Sequence, residues 1–359
     1  MNTGRDEIIE VSSYSKGTDT FVNRGLLAFD SSEVTTALES YVSSSNRAVT
    51  DFSASLRLYL ASANEVPSSY NVYAYPVYIP SGSGNFTTWI TGNGKYGDLP
   101  RNSSGVSWGF TQSSGSGTWV SDTPSYVTSY YSGSNTGGGA WYTGSASYNL
   151  THFQSHTTVS THDLNIDVTD SIKSHYNGDF NNAGFLIKLD DANEFQTSRQ
   201  MYLRYFSHQT HTIYPPCLEI KWDDFNSSST LDTVEDVNAV VKVKNNRGTY
   251  TDEGFQKFEL HVRPKHPVRT FVTSSNYLRN YYLPETSYWG LRDENTEEMV
   301  IDFDTTYTKL SQGDTGNYFT VHMGGLEPER YYRVLIKTVI DGSTIIIDNN
   351  MTFKVVRNG

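Results

Sequence analysis

The chain has 359 residues, 36% of them hydrophobic and 14% aromatic, with 26 Tyr and a formal net charge of -12. One hydrophobic core rarely serves that length, so two domains are expected. The acidic balance, with no Lys/Arg cluster to interrupt it, argues against nucleic acid as a partner. A single cysteine, Cys217, excludes an internal disulfide, and no apolar run is long enough to span a bilayer as a helix.

Tyr, Thr, Val and Ile set between Ser, Asn and Gly favour strands and turns, and the aromatic content argues for a folded chain. Residues 1–19 read as an N-terminal arm. Their opening, Met1-Asn-Thr-Gly-Arg-Asp-Glu7, has no apolar core of the kind a secretory leader needs, so synthesis in the cytoplasm is expected. Strands follow at Gly25-Leu-Leu-Ala-Phe-Asp30 and Ala54-Ser-Leu-Arg-Leu-Tyr-Leu60. In the second, Leu56, Leu58 and Leu60 share one face while Arg57 and Tyr59 take the other, as a sheet with one buried side requires. A short helix is predicted over residues 32–41 between them.

Residues 70–78 read as a further strand. From 81 to 139 the chain turns rich in Gly, Ser, Thr and Asn, with Trp89, Trp108, Trp119 and Trp141 spaced through and beyond it. Flexible spacers lack large aromatics, so this stretch reads as decorated loops packed over one sandwich edge, with 133–139 as its most mobile part. A helix over 169–176 follows, entered through Asp167 and Asp170 and stopped at Asn177-Gly178. Strands at 183–189 and 217–222 close the domain.

A polar linker covers residues 223–231. The second core, 232–359, carries strands at 237–243, 255–262, 298–303, 331–339 and 344–347, with Asp341-Gly342 turning a hairpin. Their spacing suggests an immunoglobulin- or fibronectin-like sandwich. The expected fold is all-β: a jelly-roll β-sandwich over 20–222, then an immunoglobulin-like β-sandwich.

Arg24-Gly-Leu-Leu-Ala-Phe-Asp30, Ala54-Ser-Leu-Arg-Leu-Tyr-Leu60, Trp89, Val106-Ser-Trp108, Ile166-Asp-Val-Thr-Asp-Ser-Ile172, Asn182-Ala-Gly-Phe-Leu-Ile187 and Tyr214-Pro-Pro-Cys-Leu-Glu-Ile220 resemble the DNRLRE jelly-roll domains, relatives of carbohydrate-binding modules. His175 departs from the aromatic residue common there. Tyr288-Trp-Gly-Leu-Arg-Asp293, Thr306-Tyr-Thr-Lys-Leu-Ser311, Gly316-Asn-Tyr-Phe319, Leu326-Glu-Pro-Glu-Arg-Tyr-Tyr332 and Phe353-Lys-Val-Val-Arg357 resemble modules of virion proteins from tailed bacteriophages, especially marine myoviruses. The resemblance implies a structural protein of the neck, baseplate, tail appendage or capsid surface. Its partners would be other virion proteins and further copies of itself in a symmetric assembly, without membrane insertion. A carbohydrate-binding adhesin for host surface glycans is the alternative.

No enzyme signature is found: the chain has no Gly-x-Ser-x-Gly elbow, no phosphate-cradling Gly-x-x-x-x-Gly-Lys and no His-Glu-x-x-His. A non-catalytic role is expected. His152 with His156, and His208 with His211, have spacings that suit a metal only on a helix, and their contexts read as strand or loop. Asp179, Asp190, Asp191 and Glu194 are candidate calcium ligands, since calcium takes six to eight oxygens with several carboxylates; a solvated acidic loop explains the same residues. Trp89, Tyr96, Trp108, Trp119, Tyr130, Tyr131 and Trp141 are candidate glycan or partner contacts, against the alternative that they anchor loops.

Overall fold

The computed structural model describes all residues except 1, 46–51, 80–87, 99–103, 113–116, 120–126, 133–134, 199, 223–230, 268–277 and 359. The expected linker at 223–231 therefore lies almost wholly outside the described residues. The chain divides into two compact units, Met1–Trp222 and Asp223–Gly359. Both are β-sandwiches built almost entirely from antiparallel sheets.

The first unit runs β1 (Ile8–Lys16), β2 (Asp19–Asn23), β3 (Gly25–Leu27), α1 (Ser31–Ser45), β4 (Phe52–Leu58), β5 (Leu60–Asn64), β6 (Ser69–Pro76), β7 (Val127–Ser132) and β8 (Asn135–Tyr142). It continues with β9 (His152–Thr157), β10 (Leu164–Asp167), α2 (Thr169–Tyr176), β11 (Phe185–Leu189), α3 (Asp191–Glu194), β12 (Met201–Phe206) and β13 (Cys217–Trp222). Only Tyr59 separates β4 from β5, and the two act as one long strand. β10 and β13 flank β4, β12 pairs with β5, and the Phe206 N–H donates to the Tyr59 carbonyl.

One sheet is thus ordered β1-β12-β5/β4-β10, with β2 added outside β1, and the other β3-β11-β6-β9. Numbering the eight principal strands along the chain, the first sheet holds the first, eighth, third and sixth. The second sheet holds the second, seventh, fourth and fifth. That is the double Greek-key order of a jelly roll. Period-two alternation fills the space between the sheets. Val11, Leu56, Leu58, Leu203 and Tyr205 meet Leu27, Val72, Phe185, Ile187 and Leu189.

Three expectations change. Residues 1–19 are not an arm: β1 is a principal strand, with Val11, Ser12 and Ser13 fully buried. Its serines disguise the alternation, because Ser13 satisfies its hydroxyl on the Glu194 carbonyl at 2.6 Å instead of facing solvent. The strand at 25–30 ends at Leu27, since Asp30 accepts the Ser32 N–H at 2.7 Å and starts α1. That helix is longer than predicted and buries Val34 and Leu38, one turn apart, on the jelly-roll core.

The second unit contains β14 (Ala239–Val243), β15 (Thr249–Thr251), β16 (Phe255–Pro264), β17 (Tyr288–Asp293), β18 (Met299–Ile301), β19 (Ser311–Gly313), β20 (Gly316–His322), β21 (Tyr331–Ile340) and β22 (Ser343–Val356). One sheet is β14-β16-β20-β19 and the other β15-β22-β21-β17-β18, with β15 parallel to β22. This is immunoglobulin-like order, in which a buried Trp on the third main strand and a tyrosine corner are hallmarks. Both are present. Trp289 of β17 stacks on Phe319 at 4.9 Å, and the Tyr332 hydroxyl at the start of β21 donates to the Glu327 carbonyl at 2.9 Å.

No disulfide joins the sheets; Phe258 stacks on Phe319 at 5.3 Å and meets Phe353 at 5.2 Å instead. Asp341 and Gly342 both have positive φ, 49° and 71°, as the two-residue turn between β21 and β22 demands. Substituting Leu58→Ala should destabilise the first unit by about 2–5 kcal/mol through lost burial and a residual cavity. Tyr332→Phe should cost the second unit about 1 kcal/mol. Urea unfolding followed by tryptophan fluorescence measures both.

Candidate functional site

Every residue of β11 is buried, which a strand with one face to solvent would not show. Phe185, Ile187 and Leu189 point into the sandwich, while Leu186 joins a second cluster with Val77, Tyr78, Trp119, Ala140, Trp141 and Ala183. Leu26 of β3 and Tyr75 of β6 face the same way. The described parts of the Gly/Ser-rich stretch between residues 88 and 142 therefore form a strap, whose Trp89, Val106, Trp119, Val127, Ala140 and Trp141 lie over the outer face of the β3-β11-β6 part of the sheet.

The tryptophans hold the strap down. Trp119 is 2% exposed and its Nε1–H donates to the Ser107 carbonyl at 2.9 Å; Trp89 donates to the Ala183 carbonyl at 2.8 Å. Trp141 is buried against Tyr75, their rings 5.5 Å apart. The glycines expected to be most mobile are in part the reverse. Gly137, Gly138 and Gly139 are buried in β8 with φ of 128°, 83° and 104°. A Cβ there would meet Trp108, Arg24 or Leu186, so only glycine lets the strand lie so close. The N-terminus joins in: Asn2, also buried, donates to the Thr91 and Val106 carbonyls at 2.7 and 2.8 Å.

Beneath the strap sits a buried ionic cluster. The Arg24 guanidinium lies 5.0 Å from the Trp108 ring centre and 5.4 Å from that of Trp141. It binds both carboxylate oxygens of Glu194, at 2.7 and 2.6 Å, and donates to the Gly138 carbonyl. Side-chain exposure is 5% for Arg24 and 1% for Glu194. The Lys188 Nζ, 4% exposed, reaches Glu194 at 3.3 Å and Asp191 at 2.7 Å. One guanidinium thus ties strap, sheet and α3 together, and the surrounding rings stabilise both cations.

The candidate calcium ligands are placed by this cluster. Glu194 faces two cations of the chain itself, and Asp191 is exposed beside Lys188. Asp190 caps α3, accepting the Asn193 and Asn71 N–H groups at 3.0 and 2.9 Å. Asp179 lies past the end of α2, its N–H donating to the Ser174 carbonyl. Among the described residues no three His, Cys, Asp or Glu side chains gather as a metal site would require.

His152 and His156 lie on β9, where a four-residue spacing separates side chains by about 13 Å instead of pairing them. His152 is hydrogen-bonded to the Ser171 hydroxyl at 2.7 Å, and burial holds its imidazole below the usual histidine value against the pull of Asp170 and Asp167. His208 and His211 are exposed in the turn after β12. Burial also raises the Cys217 thiol, and burial together with Tyr78 pushes the Tyr142 phenol up to about 12.

Among the aromatic candidates, Tyr96 stands apart at 73% exposure. Tyr130 and Tyr131 belong to β7, but their side chains fall outside the described residues. Two further aromatic rows run along outward sides of the sheets. Phe21, Tyr14 and Tyr202 stack across β2, β1 and β12 at 4.9 and 5.9 Å; Phe153, Tyr73 and Tyr75 follow one another at 5.3 and 5.4 Å. Outward positions two apart on β6, Tyr73 and Tyr75, carried a signal for the second row. Compared with family models, curated proteins and solved structures, the chain matches none.

Replacing Arg24→Met leaves Glu194 buried with only Lys188 for a partner. The first unit should lose about 3–5 kcal/mol, and limited proteolysis should cut within residues 88–142 earlier than in the parent. A double-mutant cycle with Glu194→Gln should return a coupling energy of about 1 kcal/mol or more.

Proposed function

We propose that the chain is a non-catalytic structural protein of a tailed-bacteriophage particle, working through assembly contacts of its two sandwiches. The observation that carries the assembly reading is the strap. The described parts of the Gly/Ser-rich segment, which an adhesin would use as adaptable loops, are pinned to the sheet at Trp89, Trp108, Trp119 and Trp141, so the first unit presents a packed face there. Stiff bodies lose little conformational freedom on association, and repeated copies multiply modest contacts.

Exposed apolar side chains on those surfaces suit such contacts: Phe21, Phe153, Ile213 and Tyr214 on the first unit, Phe255, Tyr307 and Tyr331 on the second. The virion assignment rests on the sequence resemblance in the second unit. Its stretches supply β17, β20 and the tyrosine corner. No helix among the described residues is long and apolar enough to cross a membrane.

A second reading, a glycan-binding adhesin on the same particle, is favoured by one residue. Tyr96 is exposed on a turn pinned by hydrogen bonds from the Lys95 and Tyr96 N–H groups to Asp98 and Asp6, and a held, accessible ring can stack on a sugar. Electron cryo-microscopy of particles carrying this protein should show it in a symmetric ring, collar or spike against other virion proteins. Finding it only free of particles would reject the assembly reading. Binding on a glycan array that Tyr96→Ala abolishes would establish the adhesin reading, and an array without signal would remove it.

A further inference from the structure

Strand β9 is an edge strand, joined in its sheet to β6 alone and followed by an exposed turn in which Val159 is 93% accessible. Its inward face nevertheless carries two buried imidazoles. His152 has a hydroxyl partner and two carboxylates, Asp167 and Asp170, whose charge favours its protonated form. His156 has neither. It is 1% exposed and lies flat on its cross-strand partner Tyr70, rings 4.9 Å apart and 14° from parallel.

The Thr161 carbonyl lies 3.0 Å from His156 Nδ1, which places that nitrogen's proton. Nε2 is buried with no hydrogen-bond partner. The groups around it cannot accept a second proton's charge. Tyr70 of β6 has its hydroxyl engaged by His162 Nδ1 at 2.6 Å, and Tyr205 of β12, in the same core, has a buried hydroxyl without a partner. Both phenols are held neutral by burial. The nearest acidic residue in the turn, Asp163, accepts the Leu60 N–H at 2.7 Å. The nearest other imidazole is His162, ring centres 5.9 Å away, and its charge lowers the affinity of His156 for a proton.

We propose that β9 and the turn at 158–163 form an acid-released edge of the jelly roll, in which proton uptake at His156 detaches the strand from β6. Neutral His156 packs as an aromatic ring on Tyr70. Its cation would sit in the apolar core with a bare N–H and the His162 ring beside it, and the least costly relief is to move the edge strand into water. Burial, the larger cause, and His162 both lower the affinity of folded His156 for a proton. The sign follows: the unfolded or opened chain binds the proton more tightly. The stability of this edge is therefore complete above the unfolded histidine value of about 6.5 and is lost as pH falls below it. What opens is the Tyr70 end of the core, between two sheets that otherwise stay paired.

Hydrogen exchange with mass spectrometry at pH 7.5 and 5.5, corrected for the intrinsic chemical rate, tests this on the whole chain. Protection over residues 152–157 should fall severalfold in acid, each histidine of opened-chain value about 6.5 allowing at most about tenfold between these two pH values, while β1 and β12 keep theirs. His156→Gln should shrink the acid effect to the part that His152, also held below its usual value by burial, carries. His162→Gln, which relieves the like charge and so raises the proton affinity of folded His156, should make the loss of protection in acid smaller than in the parent. Wild-type protection that holds to pH 5.5, a His156→Gln chain that loses protection as the parent does, or a His162→Gln chain that loses as much protection in acid as the parent or more would each overturn the proposal.

Discussion

Burial of both faces of β11 is the constraint on which the first unit depends. Phe185, Ile187 and Leu189 complete the space between the two sheets, and Leu186 must then be covered from outside. A jelly roll with bare outer faces would leave Leu26, Tyr75, Val77 and Leu186 in water. The strap supplies the cover. It does so with unusual chemistry for a third layer, since glycines allow the backbone to approach and tryptophans fill what the glycines leave open.

That arrangement also explains the position of the charges. The Gly138 carbonyl of the strap is turned inward, and a buried donor is required to meet it. Arg24 is that donor, and its own charge then needs Glu194, which in turn draws in Lys188. The network is closed within the fold, so its acidic members serve cohesion. In the second unit the same need for inter-sheet cohesion is met without ions, by the Trp289, Phe319, Phe258 and Phe353 contacts.

Surface properties follow from these interiors. Aromatic side chains that composition alone would offer to a ligand are largely drawn into packing, and several of those left outside stack face to face in rows. Assembly through broad, stiff surfaces accords with that distribution. Titratable groups add a different quality, because the edge strand β9 carries an imidazole, His156, with a buried nitrogen that has no hydrogen-bond partner.

Strand periodicity at 54–60, 70–78, 217–222, 255–262 and 331–339, the all-β class, the division near residue 223 and the Asp341-Gly342 hairpin were all legible along the chain. Each depends on local preferences: period-two burial, polar runs between cores and residues that accept positive φ. β1 and β9 were not legible, because serine and histidine occupy inward positions and only partners distant in sequence, Glu194 and Ser171 among them, make those positions tolerable. The roles of Trp108, Trp141, Gly137 and Arg24 were likewise undecided. By itself the sequence determined the strands of clear alternation and the division of the chain into two units, since alternation acts between near neighbours. Only the tertiary structure decided that the glycine-rich stretch would be a covering layer and Glu194 a buried counter-ion. Those outcomes depend on contacts across more than a hundred residues of chain, which no local pattern encodes.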